Sequence, residues 1–241
     1  MSPSDPSANP IAESLVIQLR AMRDAERRIF GALDPVVRDA PIRPNDWSAK
    51  DHQAHLTAWK GRQAARIHAV RLDEPYPDEA REEDEENAEH QAITAAWSWD
   101  AVVAQADEVS EALVVEVLAT GDEVLLGSNR LIGGIFGNGP FHAATHFGWL
   151  VNDGIGMDAS AVEAYLDEEE QLLGGATLPD ADRGAGLYNL ACAHAIAGRL
   201  ARAREPLREA FRLRPDLAEY ATEDPDLITL RGELSELAAT D

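Results

Sequence analysis

Residues 184–217, GAGLYNLACAHAIAGRLARAREPLREAFRLRPDL, decide the fold class. Leu187, Leu190 and Ala191, then Ala203, Leu207 and Ala210, recur at three- and four-residue intervals, the spacing of one helix face. Small residues at Ala191, Ala203 and Ala210 let two antiparallel helices approach. Gly198 permits the turn between them, and Pro215 stops the second. The stretch therefore predicts a helical hairpin.

Its spacing resembles the 34-residue tetratricopeptide (TPR) pattern, with Leu187, Leu190, Ala191, Gly198, Ala203, Leu207, Ala210 and Pro215 at key positions and His194 where tyrosine is usual. There is no second copy upstream, and residues 218–237 supply at most a capping helix. A lone repeat cannot bury its own apolar face. The hairpin must lean on its own chain, on a second subunit in a homodimer, or on a client protein, and packing on the preceding helices is the reading preferred here.

Upstream, Leu15, Leu19, Met22 and Ile29 predict a first helix over 11–33. Pro35, Pro41 and Pro44 then interrupt the chain. Ser48 with Asp51 three residues later forms a capping signature for a second helix over 49–72. Residues 73–89 carry ten carboxylates against Arg81, which reads as a solvated loop entering a helix; the minor reading is an acidic patch that holds a cation or docks the basic hairpin. A third helix follows in two pieces, 85–96 and 99–118, although residues 113–118 have strand-like composition. Glycines from 121 to 139 predict a loop, and Pro140 opens a fourth helix over 140–152. Ser160 and Glu163 suggest a further helix to about residue 173, and the loop 174–182 is the expected boundary. The expected class is all-α. A flexible tail covers 1–10, a helical bundle 11–155, a linker helix and loop 156–182, and the hairpin with its capping helix 183–241.

Composition limits function. The 241 residues are 45% hydrophobic and 27% charged, as a packed protein requires. A net charge of −23 disfavours nucleic acid, because phosphate binding needs surplus cations. The basic exception is the hairpin, where residues 183–214 hold seven arginines against Glu205 and Glu209. The most apolar window, 131–151, is broken by Asn138, Pro140 and several glycines, so no membrane span is expected. The single Cys192 precludes an intramolecular disulfide and, with no secretory pattern at the N-terminus, predicts a cytoplasmic location. Cys192 itself reads as a small buried group.

Three histidines could meet. His142 and His146 lie four apart on one face of the fourth helix, within reach of one ion, and His55 on the second helix supplies a third nitrogen if it faces inward; on spacing alone, packed or surface histidines are the preferred reading. The start of a helix disfavours imidazolium and keeps such rings neutral, as ligation requires. Asp51 reads as a cap and His52 as an exposed residue. G-x-S-x-G, P-loop and G-x-G-x-x-G motifs are absent, and no catalytic acid or base can be singled out.

The segment Asp46-Trp47-Ser48-Ala49-Lys50-Asp51, followed by Ala54-His55-Leu56 and Trp59, resembles the second-helix signature of DinB-like proteins, especially the ClbS/DfsB group. Phe141-His142-Ala143-Ala144-Thr145-His146 is similar to the H-x-x-x-H of that superfamily's last bundle helix. The resemblance implies an up-down-down-up four-helix bundle, with the acidic stretch as the long crossover. It also implies a divalent metal (Zn, Ni or Fe) on His55, His142 and His146 beside Trp47 and Trp59. By the same resemblance the chemistry would be thiol transfer or hydrolysis of small electrophiles, with a low-molecular-weight thiol as cosubstrate. The Gly-rich approach to the fourth helix, the acidic crossover and the appended hairpin depart from the family pattern. A different reading makes the chain a non-catalytic adaptor whose Arg-rich hairpin recognises an acidic peptide.

Overall fold

The computed structural model describes residues 9–41, 43, 46–77, 82–128 and 130–239. All regular structure among them is helical. The order is α1 Pro10–Gly31, α2 Pro35–Asp39, α3 Ala49–Arg71, α4 Glu83–Thr94, α5 Trp99–Gly127, α6 Leu131–Asn138, α7 Pro140–Asn152, α8 Ala159–Gly175, α9 Asp180–Ile196, α10 Leu200–Leu213, α11 Asp216–Tyr220, a 3₁₀ turn Pro225–Leu227 and α12 Leu234–Ala238. The proposed tail up to residue 8 and part of the acidic stretch, 78–81, lie outside the described residues.

Leu15, Leu19, Met22 and Ile29 of α1 are buried, as their spacing predicted, and the helix packs on α5 and α8. Its first free amides go to a carboxylate from another helix: Ile11 and Ala12 donate their N–H groups to Asp122 at 3.0 and 2.9 Å. A carboxylate there also complements the positive helix end. The Ser48–Asp51 capping box forms, with Asp51 N–H donating to Ser48 Oγ (3.1 Å) and Ser48 N–H to Asp51 Oδ2 (2.8 Å). The α3 helix it opens lies between α5 and α4 and touches α6 and α7.

One local expectation holds against its composition, and two are corrected. The strand-like run 113–118 is helical: Leu113, Val114 and Val117 turn inward while Val115 and Leu118 face solvent, and that periodicity outweighs β-propensity. The Gly-rich stretch 121–139 is mostly helix, since α5 runs on to Gly127 through a kink at Gly121 (φ 74°) and α6 follows. Leu131, Ile132, Ile135 and Phe136 sink one face of α6 into the core, and Gly134 permits close approach, because a Cβ there would lie 2.6 Å from Gln63 Oε1. Lastly, Asp158 rather than Ser160 caps α8, accepting from Ser160 N–H at 2.9 Å.

The paired helices α9 and α10 meet along Ala191, Ala203 and Ala210, all fully buried, and Gly198 (φ 75°) makes the turn between them. Helix α9 rests on α7, α8 and α6. Gly148 of α7 admits Ile196, and Asn152 Nδ2 donates to the Ile196 carbonyl at 2.6 Å. On the outer side, the Tyr188 hydroxyl donates to Asp224 (2.6 Å), and Cys192 is buried beside the same carboxylate. The apolar core continues without a break from Ile11 to Leu237, through Leu173, Ala176 and Leu178 of the segment joining α8 to α9.

The hairpin arginines bond their own chain. Arg199 and Arg202 hold Asp167, Arg202 also holds Glu170, Arg204 pairs with Glu233, Arg208 with Glu205, Arg212 with Glu209 and Arg214 with Asp216. None of these pairs involves the acidic stretch 73–89.

Candidate functional site

Helix α3 presents His52 and His55 three residues apart, and α7 presents His142 and His146 four apart, so each pair shares a helix face. The two faces meet. One nitrogen each from His55, His142 and His146 lie within 4.8 Å of one another, and the His55 and His142 Nε2 atoms are 3.1 Å apart. The three residues singled out in the sequence thus converge.

His52 was misjudged as exposed. It is 8% exposed, and its Nδ1 lies 2.6 Å from His146 Nδ1. One proton must sit between those two nitrogens, which leaves Nε2 as the uncommitted nitrogen of His146. The i, i+3 spacing of His52 and His55 was the sequence signal for this partner. It was outweighed by the neighbouring Asp51, whose capping role made the first turn look exposed.

Burial dominates the electrostatics of all four rings. It pushes His52 down to about 4 against the pull of Asp46, Asp51 and Asp153, and His55 to about 3 with help from neighbouring imidazoles. His142 falls to about 4, first by burial and then by the Lys60 ammonium, and His146 is driven well below the ordinary histidine range. All four are neutral at pH 7. Neutral imidazole is the form that donates a lone pair to a metal.

Lys60 lies fully buried beneath this cluster, with its ammonium 2.7 Å from both Glu26 oxygens. Arg23 and Gln53 add further contacts to Glu26. The Lys60–Glu26 pair itself carries no net charge.

Above the histidines lies a cavity of about 390 Å³ lined by Trp47, Trp59, Trp149, Glu83, Asn87 and Asn138 along with the three rings. Helix α4 forms one wall, tied to α3 where Trp59 Nε1–H donates to Asn87 Oδ1 at 3.0 Å and Arg62 meets Glu86 at 3.1 Å. A larger cavity of about 500 Å³ lies on the far side of α4, over Ala54, Gly61 and Ala65. It contains no comparable cluster of donors, so the smaller one is the site of interest.

Among the described residues, two other groups have metal-compatible spacing. Asp167, Glu170 and His194 converge, but Arg199 and Arg202 already neutralise those carboxylates. In the set Cys192, Asp224 and Asp226, Asp224 is committed to the Tyr188 hydroxyl and the Asp226 N–H, and burial holds the thiol protonated. Neither matches the four neutral rings. No helix among the described residues is long and apolar enough to cross a membrane. No protein-family model, curated protein or solved structure matches this chain.

Proposed function

We propose that His55, His142 and His146 hold one divalent metal ion of the zinc, nickel or iron type, and that the chain is a metal-dependent thiol transferase or hydrolase acting on small electrophiles. The observation that carries this reading is the convergence of three neutral imidazole nitrogens at the floor of an indole-lined cavity. Two donors that share an ion at about 2.0–2.1 Å lie roughly 3–4 Å apart, and the His55–His142 separation of 3.1 Å already meets that requirement. In this reading α1, α3, α5 and α7 form a DinB-like four-helix bundle, α4 belongs to its crossover, and α9 with α10 is a tetratricopeptide-like accessory packed on it.

When bound, such an ion acidifies a water or a thiol toward neutral pH and polarises an electrophile. The remaining work falls to side chains. His52 Nδ1 accepts the hydrogen bond from His146 Nδ1–H, the tautomer that leaves the His146 Nε2 lone pair free for an ion. Trp47, Trp59 and Trp149 exclude water from the floor of the cavity, and Asn87, oriented by Trp59, places one amide at the wall.

The adaptor reading has less support, because the hairpin arginines already bond carboxylates of this chain and α9 is covered by α7 and α8. Elemental analysis of tag-free protein is the test. About one equivalent of Zn, Ni or Fe is expected in the wild type and a small fraction of that in His146→Ala, with circular dichroism verifying the fold. Metal-free wild-type protein that also fails to take up zinc on titration would overturn the reading. Loaded protein would next be screened with low-molecular-weight thiols and small electrophiles.

A further inference from the structure

Each of the three proposed ligand histidines has an indole beside it. The ring centroids of Trp47 and His55 are 4.7 Å apart, those of Trp149 and His146 4.8 Å, and those of Trp59 and His142 6.1 Å. Trp149 is 43% exposed, an unusual position for so large an apolar ring on a soluble surface. Helix α4 adds an exposed carboxylate, Glu83, to the cavity wall. Among the described residues no lysine or arginine lines this cavity.

The nearest cations are engaged elsewhere. Lys60 is held by both oxygens of Glu26 below the histidines. Arg62 stacks over the Trp59 ring at 4.5 Å and meets Glu86. In the metal-free cavity an anionic ligand would find indoles and a carboxylate but, among the described residues, no basic side chain; a bound ion would supply positive charge of its own, so the ligand preference is judged without metal. A cation would find the negative faces of the indoles, which attract an ammonium most strongly when water is excluded, together with Glu83. From this arrangement we infer that the metal-free cavity favours small molecules bearing an ammonium or similar cationic group, seated against Trp47, Trp59 and Trp149 beside Glu83, over carboxylate-bearing ones. The preference belongs to these side chains and is read on metal-free protein, so it stands or falls apart from the metal reading.

The test is a titration of the full chain followed through its five indole N–H signals by NMR, with and without added zinc. The probes are benzyltrimethylammonium, benzyl alcohol and phenylacetate. The inference predicts shifts for Trp47, Trp59 and Trp149 but not for Trp97 or Trp99, and tighter binding of the cation than of phenylacetate by roughly five- to thirtyfold. Because the whole chain is acidic, two variants separate local from global charge. Glu83→Gln should erase most of the preference, whereas Glu219→Gln, an exposed carboxylate on α11, should leave it intact. Equal or tighter binding of phenylacetate to metal-free protein would overturn the inference, as would an unchanged preference in metal-free Glu83→Gln. Failure to take up zinc while the cation preference persists would remove the metal reading and leave the cage.

Discussion

At the scale of single residues, two kinds of buried ionisable group pull stability in opposite directions with pH. His52, His55 and His142 have folded-state values of about 3 to 4 and burial drives His146 well below its ordinary range, against about 6.5 when unfolded, so the unfolded chain takes up more protons as the pH falls below 6.5. Metal-free protein should therefore lose stability as the pH falls from 6.5 toward 4, and chemical denaturation at several pH values will show the slope. Glu169 behaves in the reverse manner. It is fully buried beside Tyr165, one turn away, whose hydroxyl gives its proton to the Pro140 carbonyl (2.9 Å). Burial raises this carboxyl to about 8 from near 4.5, so its penalty grows as the pH rises through that window. Glu169→Gln is expected to raise the melting temperature by a few degrees at pH 8.5 and to have little effect at pH 5; no gain at pH 8.5 would refute this. For the metal centre, His52→Ala should weaken zinc affinity about 10- to 100-fold by freeing the His146 ring, with partial recovery in His52→Asn, which restores an acceptor.

At the scale of helices, Gly148 sets how closely α7 and α9 approach. A methyl group there would sit 2.7 Å from Ile196 Cγ2 and 3.4 Å from the Ala197 nitrogen. Alanine favours a helix over glycine by about 1 kcal/mol, but overpacking a close contact costs about 1–3 kcal/mol, so the clash decides. Gly148→Ala should lower the melting temperature while leaving zinc uptake intact, as calorimetry and metal titration on one sample can verify. Helix starts were legible where a local rule suffices: Ser48 with Asp51 predicted α3, and Pro140 predicted α7. The glycines between 121 and 139 misled because glycine has two uses. A sequence displays its turn-forming freedom, whereas the close approach of Gln63 that Gly134 accommodates is visible only after α3 and α6 have met. His52 failed for a related reason, since nothing local to α3 reveals that His146 will arrive from 94 residues away.

At the scale of the whole molecule, one continuous core joins the first helices to the last, and a single cooperative thermal transition is expected. Two resolved transitions in calorimetry would show that the hairpin melts separately. The charge of −23 gives a second global property, because surface ion pairs contribute little individually while repulsion acts on the entire chain. Raising NaCl from low to moderate concentration should therefore stabilise the protein by screening that repulsion, which a lower melting temperature in salt would contradict. The all-helical class followed from periodicity alone, but the meeting of α9 with α7 depends on surfaces that residues 184–217 do not contain.

Cys192 is the only thiol in the chain, buried on α9 behind the residues around Asp224 and held protonated by that burial. A disulfide reagent reaches it only when the segment around Asp224 lifts off, so its labelling rate times the opening of that outer layer. The protein carries its own stopwatch for the detachment of its C-terminal cover, readable from the absorbance of the thiolate that the reagent releases, without any mutation.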